Sequence, residues 1–460
     1  MKTITFVLLS ILCSVQICAQ YGTSAGSMSY TRQYGNSENY NRRGLHMPDE
    51  STFIVRDFVN YHKHNITIPE KDDVALSIDY DNNIPGNENE FILQIGLATQ
   101  PANKRSKQQN KVNVTLVMDV SGSMSGNKIE QVKRSMKKFI RSLNNGDYLS
   151  VVLFNSEASV LLPATYLRTD RRYILELIDN LSSGGYTNLN DGMMLGYKET
   201  VKYHSENVNS RLILLTDGLT NRGEKNQDKI IRNSLDYNRE GINISTIGVG
   251  ESLDFDLLRQ LADKGKGSNY FLGDSGDDIE KVFDEELESL LYNIGSDPCL
   301  TVDLPTGWTI KECYGYDPEY QRSNKLSVSF DNLNASSTRV ILMKVQKDTR
   351  CNNNTDRQIV ASLSYRKDEG VLNISKKMLY SDKTSHTNKE ISKNFDIAYM
   401  AVSLKKAARE YANNNLIEAE KILTRTNCEV RNSEYSSDKD FKRVYDILRS
   451  YCSLTDKDEL

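Results

Sequence analysis

Short apolar runs alternate with amphipathic segments between residues 111 and 295, and this alternation limits the possible folds more than any other feature. Each run has the continuous hydrophobicity of a strand that is buried on both faces. The runs are VNVTLVMD, DYLSVVLF, RLILLT and INISTIGV. The segments between and after them predict helices over 128–143, 171–181, 189–204, 227–239, 255–264 and 277–291. This order predicts an α/β fold with a doubly wound, mostly parallel sheet.

A further run, SVLLP at 159–163, follows the second buried strand after only four residues. That connection is too short for a crossover helix, so the run predicts an antiparallel edge strand. Ligands of such sheets bind where the strands end at their carboxyl side. Candidate functional residues should therefore be sought in the loops that follow these strands.

The segments on either side of the α/β region have a different pattern. Residues 20–45 lack aliphatic periodicity and predict a flexible leader, and residues 46–110 predict a small β-rich segment that begins with a helix near 52–61. Alternating apolar and polar residues over 296–380 predict an antiparallel β domain. Residues 381–460 predict a helical C-terminal region, with helices over 391–412, 416–423 and 441–451.

Both ends of the chain resemble sorting signals. Lys2, an apolar run over 4–15 and the small Ala19 predict a signal peptide over 1–19, cleaved before Gln20, and hence a secreted or periplasmic protein. No later stretch reaches the roughly 20 apolar residues that span a bilayer. The last four residues, Lys457-Asp458-Glu459-Leu460, spell an endoplasmic reticulum retention signal, so the lumen of that compartment is the alternative location.

Composition and short motifs exclude several classes of function. A net charge of −4 gives no global basic field, so we expect no nucleic acid partner. Neither HExxH nor CxxC occurs, which argues against a common zinc hydrolase or a cysteine zinc site, and we expect no enzyme. His62 and His64 are expected at the surface. An oxidising compartment permits disulfides, and Cys299 with Cys313 is one candidate pair, but pairing stays open among Cys299, Cys313, Cys351, Cys428 and Cys452.

Oxygen-bearing side chains occur at the ends of two predicted strands and in one loop between them. Asp119, Ser121 and Ser123 form a DxSxS motif directly after the first buried strand, Thr187 follows a Gly-Gly-Tyr loop, and Asp217 ends another buried strand. Two carboxylates and three hydroxyls can thus meet at neighbouring strand ends. The simpler interpretation is that Asp119 and Ser123 only cap the next helix. The order of all three pieces favours a metal site.

This set resembles the metal-ion-dependent adhesion site (MIDAS) of von Willebrand factor type A (VWA) domains, and the resemblance covers residues 111–295. It implies that Ser121, Ser123 and Thr187 bind the ion directly, while Asp119 and Asp217 act partly through water. Tyr186 departs from the family, which often has Gly-Gly-Thr without an insertion. Asp191 is a further candidate ligand or, more simply, supports the start of a helix; Asn155 either lines the metal face or serves a turn.

The donor chemistry selects the ion. Mg²⁺ prefers near-octahedral oxygen ligands and keeps some water, whereas Ca²⁺ takes more ligands; Ca²⁺ or Mn²⁺ are the alternatives. In the family, an acidic side chain of another protein completes the coordination, so the resemblance implies a metal-dependent interaction or adhesion module. Two other functions stay open: a scaffold that the metal only stabilises, and a non-catalytic accessory subunit of an enzyme complex. The whole layout resembles exported bacterial VWA proteins and, more distantly, inter-alpha-trypsin inhibitor heavy chains.

Overall fold

The computed structural model describes residues 47, 50, 53–82, 89–101, 111–205, 208–249, 253–272, 282–283, 293–316, 324–329, 332–347, 357–367, 370–381 and 386–455. The signal peptide, the leader, most of the helix predicted over 277–291, Cys351 and the C-terminal tetrapeptide lie outside these residues. Within them, no helix has both the length and the apolar character that a membrane crossing requires.

A six-stranded sheet forms the centre of the α/β domain, in the order β5-β4-β3-β6-β7-β8. All neighbouring pairs are parallel except β4 with β5. The antiparallel edge strand that the short connection predicts is therefore confirmed. The strands are β3 (Lys111–Asp119), β4 (Tyr148–Phe154), β5 (Ala158–Tyr166), β6 (Val208–Thr216), β7 (Asn243–Val249) and β8 (Lys266–Leu272).

Helices cover both faces of this sheet, as the α/β pattern requires. On one face, Val114, Leu116 and Met118 of β3 pack with apolar residues of the helices over 127–142 and 172–179. On the other face, Val117 packs with apolar residues of the helices over 189–201, 227–239 and 255–264. Because successive side chains of a strand point to opposite faces, one apolar run supplies both cores. The helices are α2 (Asn127–Ser142), α3 (Arg172–Asp179), α4 (Leu189–Val201), α5 (Gln227–Arg239) and α6 (Phe255–Lys264).

Strands from before and after the α/β domain together form a β sandwich. One sheet has the order β1-β2-β13-β10, and the other has the order β11-β9-β14-β15, with β12 paired to β9. Apolar residues of the two sheets share one core that includes Phe91, Leu300 and Trp308. The strands are β1 (Val74–Asp81), β2 (Glu90–Thr99), β9 (Asn293–Asp303), β10 (Thr309–Cys313), β11 (Lys325–Ser329), β12 (Leu333–Asn334), β13 (Thr338–Gln346), β14 (Gln358–Lys367) and β15 (Gly370–Leu379).

A helical layer covers the outer face of the sheet that contains β2 and β13. Its core joins Ile92 of β2 and Val340 and Leu342 of β13 to apolar residues of four helices. The helices are α1 (Val55–Val59), α7 (Lys389–Ala412), α8 (Leu416–Val430) and α9 (Lys439–Thr455). Both faces of β2 are thus covered, which explains why nearly every residue of this strand is buried.

The fold class predicted from the sequence is confirmed, but three features differ from the sequence interpretation. Strand β8 was not predicted, because KGSNYFL lacks a continuous apolar run. The segments 46–110 and 296–380, predicted separately, share a sheet through the pairing of β2 with β13. Cys299 and Cys313 lie in different sheets, and neither forms a disulfide within the described residues, so they do not close a hairpin.

Candidate functional site

The two candidate carboxylates stand at the ends of neighbouring strands. Strand β3 ends at Asp119, and Asp217 directly follows β6. The two strands pair in parallel, with Met118 opposite Leu215, so their carboxyl ends meet at one edge of the sheet. Asp119 and Asp217 are both buried. The sheet topology therefore brings together acids that lie almost one hundred positions apart.

Hydrogen bonds fix both oxygens of the Asp119 carboxylate. The backbone N–H of Ser121 donates to Oδ1 at 2.8 Å, and the Thr216 hydroxyl donates to Oδ2 at 2.6 Å. Thr216 is the last residue of β6, so this bond ties the ends of the two strands together. The sequence interpretation missed Thr216, although its position next to Asp217 could have indicated the role.

The two serines of the DxSxS motif reach towards the second acid. A 3₁₀ turn over Gly122–Met124 begins directly after Ser121. It places the Ser121 and Ser123 hydroxyls 3.1 Å apart, and the Ser123 hydroxyl donates to Asp217 Oδ1 at 2.7 Å. Three of the predicted donors are thus linked directly, and the interpretation of Ser123 as only a helix cap is not needed.

The loop that carries Thr187 is attached to the DxSxS loop by backbone hydrogen bonds. The Gly184 N–H donates to the Val120 carbonyl at 2.7 Å, and the Gly122 N–H donates to the Gly185 carbonyl at 3.1 Å. Gly185 has a φ of +88°, a conformation that glycine adopts without strain. The Asn155 amide donates to the Gly184 carbonyl at 2.9 Å, so Asn155 supports this loop.

Thr187 is buried, and its hydroxyl lies beside the same space as that of Ser123. A Cβ atom placed on Gly218 would lie 3.7 Å from the Ser123 Oγ and 3.7 Å from the Thr187 Oγ1. The backbone N–H groups of Asn221 and Arg222 hold the Thr187 carbonyl. The insertion of Tyr186 therefore leaves the threonine hydroxyl at the cluster, and the glycine keeps open the space between the two hydroxyls.

Asp191 lies at the start of α4 and takes part in capping that helix. The Asn188 side chain accepts a hydrogen bond from the Asp191 N–H and donates one to Asp191 Oδ2 at 2.7 Å. The carboxylate is thus engaged with the helix cap. This is the simpler of the two roles considered for it.

The electrostatics of the cluster favour a cation. Burial raises the pKa of Asp119 to about 6; hydrogen bonds from Ser121 and Thr216 oppose this shift, and the charge of Asp217 adds to it. Asp217 is paired with Lys128, whose Nζ lies 3.0 Å from Oδ2. The Asp217 side chain is fully buried and that of Lys128 is 23% exposed. Positive charge is therefore already drawn to this pair of acids.

The residues present fit a hard divalent cation. The donors are three hydroxyls and two carboxylates, without sulfur or imidazole, which is the set that Mg²⁺ and similar ions prefer. Hydroxyls at 3.1 Å and a carboxylate at 2.7 Å already lie at the separations found around a small ion. Lys128, which the sequence interpretation did not consider, contacts one oxygen of this set.

Exposed side chains surround the buried donors. Ser123 itself is exposed, and Tyr186 and Leu219 lie one and two residues from Thr187 and Asp217. Tyr186 is 62% exposed and Leu219 is 52% exposed. Tyrosine is among the residue types that are enriched at protein–protein interfaces. Ser123 is therefore the one candidate donor that is exposed to solvent, and the other four are buried.

Comparison with known proteins places the α/β domain in a family. The model of the von Willebrand factor type A domain family matches residues 113–285. Uncharacterized protein YfbK of Escherichia coli is 26% identical over 288 residues, which are 60% of this chain and 49% of that protein. Inter-alpha-trypsin inhibitor heavy chain H3 of Homo sapiens is 32% identical over 161 residues, 33% of this chain and 18% of the heavy chain.

Solved structures show the same fold. A von Willebrand factor type A protein from Catenulispora acidiphila has a TM-score of 0.55 at 18% sequence identity, and the match covers 79% of this chain and 88% of that one. The chain spans about half the length of YfbK and about a fifth of the heavy chain. The similarity to the heavy chain therefore concerns one domain.

Proposed function

We propose, because residues 113–285 are a VWA domain, that this protein binds a partner protein through a divalent cation held at the MIDAS. VWA domains commonly take part in protein–protein interaction and adhesion. The residues that would hold the ion are those predicted from the sequence: Asp119, Ser121, Ser123, Thr187 and Asp217. A bound Mg²⁺ would supply an open coordination position for a carboxylate of the partner.

One observation carries this proposal: buried acids and hydroxyls meet below an exposed rim. Asp119 and Asp217 are buried, so their carboxylates are partly desolvated. Electrostatic attraction between a carboxylate and a cation is stronger there than in water. The exposed Ser123, Tyr186 and Leu219 leave the opposite side accessible. In such a site an acidic side chain supplies charge and the rim supplies apolar contact area.

The choice of Mg²⁺ follows from the ligand types. Hydroxyl donors carry no formal charge, and the two carboxylates would act partly through water, so the directly bound ligands leave the ion under-neutralised and attractive to a further anion. The proposed location is secreted or periplasmic, based on the predicted signal peptide. We propose no catalytic function for this site, because its side chains suit ion binding and offer no paired acid and base.

Two measurements test whether the site binds an ion and whether the ion faces solvent. Calorimetry with MgCl₂ and MnCl₂ should give one site in the wild type that is lost in the Ser121→Ala, Ser123→Ala double variant. Ser125→Ala is the matched control, because this exposed serine lies in the same loop outside the donor cluster. An unchanged affinity of the double variant would contradict the assignment of the donors.

Mn²⁺ then reports on the open position. A Mn²⁺ ion that exchanges water with solvent enhances the relaxation of water protons, and addition of sodium acetate should reduce the enhancement by displacing that water. Bound Mn²⁺ without enhancement would mean that the ion is enclosed by the protein. That result would replace the interaction proposal by the scaffold alternative, in which the metal only stabilises the fold.

A further inference from the structure

A second group of metal-ligating side chains lies in the helical layer, away from the α/β sheet. His62 and His64 stand in the segment after α1, and Glu390 stands in the first turn of α7. One ligand atom from each residue lies within 4.8 Å of the other two. Contrary to the expectation that both histidines are surface residues, His64 is buried and His62 is partly buried.

Hydrogen bonds fix the tautomer of His64. The Asn60 amide group donates to the Arg56 and Val340 carbonyls, and Asn60 Oδ1 accepts from the Val340 N–H at 2.7 Å. His64 Nε2 lies 3.2 Å from the same Oδ1. Because that oxygen can only accept, Nε2 carries the proton and donates, so a neutral ring has its lone pair on Nδ1. Histidine ligands of metals are held in this way by a hydrogen bond from the other ring nitrogen.

The lone pair on Nδ1 of His64 faces a carboxylate. His64 Nδ1 lies 3.8 Å from Glu390 Oε1. The Asn394 amide approaches Nδ1 only at 3.5 Å. The other oxygen, Oε2, is paired with Lys393 at 3.2 Å, which leaves Oε1 directed at the imidazole. Two acceptor atoms face each other stably only when a proton or a cation lies between them.

His62 supplies the third donor. Its Nε2 is buried and has no hydrogen-bond partner among the described residues, and buried polar atoms of this kind are rare. The two imidazole rings are 4.5 Å apart between centroids.

We propose that His62, His64 and Glu390 bind a divalent transition-metal ion, Zn²⁺, independently of the MIDAS. Two imidazole nitrogens and one carboxylate oxygen are a ligand set that Zn²⁺ takes readily, with solvent in the fourth position. Bonds of about 2.0–2.1 Å require each ligand atom to move inward by roughly 1 Å, which side-chain rotation provides. The ion links the segment after α1 to the start of α7, and so stabilises the packing of these two parts of the helical layer.

The test uses the full chain in the Ser121→Ala, Ser123→Ala background, so that the MIDAS does not contribute zinc binding. After removal of metals with EDTA and exchange into buffer, ZnCl₂ is titrated by calorimetry, and CoCl₂ is added as a spectroscopic probe. We expect one equivalent of Zn²⁺, a rise in the unfolding temperature with Zn²⁺, and the visible absorption of tetrahedral Co²⁺.

His62→Ala and Glu390→Gln should each weaken Zn²⁺ binding at least tenfold and remove the Co²⁺ bands. These two residues are partly exposed, so their substitution should leave the fold intact, as circular dichroism would show. His386→Ala is the matched control, because this histidine pairs with Asp79 of β1 and is not one of the three proposed ligands. Absence of Zn²⁺ binding in the parent, or equal binding by His62→Ala and Glu390→Gln, would overturn the proposal.

Discussion

Lys128→Met should increase the affinity of the MIDAS for Mg²⁺. In the structure the Lys128 ammonium lies 3.0 Å from Asp217 Oδ2, within the cluster that would hold the ion. A divalent cation must either displace this ammonium or bind beside a like charge. Methionine keeps most of the unbranched apolar stem and removes the ammonium group, with its charge and its hydrogen bond to Asp217.

The structure limits the size of this effect. Two unit charges 3.0 Å apart at an effective dielectric constant of 20 attract by about 5–6 kcal/mol. Lys128 is 23% exposed, and solvent screening and side-chain entropy reduce such pairs towards about 1 kcal/mol. Since about 1.4 kcal/mol is tenfold in affinity, we expect Mg²⁺ to bind roughly three- to tenfold more tightly.

Calorimetry at constant ionic strength measures this change. Lys137→Met is the control, because Lys137 lies on the same helix and is paired with Asp179, away from the cluster. It removes the same charge and should change the affinity by less than about twofold. An affinity of Lys128→Met equal to that of the control would show that the ammonium does not compete. A weaker affinity would show that Lys128 instead orders Asp217 for the ion.

Three further predictions concern fold and stability. The Ser121→Ala, Ser123→Ala variant should keep its circular dichroism spectrum and unfolding cooperativity while it loses Mg²⁺ binding, because loops after strands contribute little to the core. Gly196→Ala should lower the free energy of unfolding by about 1–3 kcal/mol in urea titrations, because the new Cβ would lie 2.3 Å from Val117 Cγ2; an unchanged midpoint would show that the helix shifts freely. Burial raises the pKa of Asp396 to about 6, so its contribution to stability is present below the ordinary value near 3.8 and is lost as the pH rises through 6. In urea titrations from pH 4 to 8, the free energy of unfolding should therefore fall less with rising pH in Asp396→Asn than in the wild type. An equal fall in both proteins would contradict the raised pKa.

Local sequence was enough to predict the α/β domain, because apolar runs and amphipathic segments alternate regularly along it. Short continuous apolar runs between amphipathic segments, such as those of β3 and β6, predict strands covered on both faces, and the helices over 227–239 and 255–264 coincide with α5 and α6. Strand β8 escaped this logic. Its sequence, KGSNYFL, has no continuous apolar run. The segment forms a strand because it pairs with the edge of β7.

The convergence of the two candidate carboxylates could also be predicted from sequence. A strand that ends in Asp119 must turn there, and parallel neighbours bring Asp217 to the same edge. Two other contributors were not predictable in this way. Thr216 and Lys128 contribute through side-chain directions, and a lysine in a helix usually faces solvent. Only the position of α2 against the strand ends brings its amine to Asp217.

The sequence by itself determined where the apolar strands of the α/β domain lie and which residues follow them, because the apolar runs are local and recur along the chain. Tertiary structure alone decided the partners across long separations. Pairing of β2 with β13 joins segments more than two hundred residues apart, and the packing of α7 brings Glu390 to His64. Such contacts depend on which surfaces meet when the cores close, and no local pattern encodes that choice.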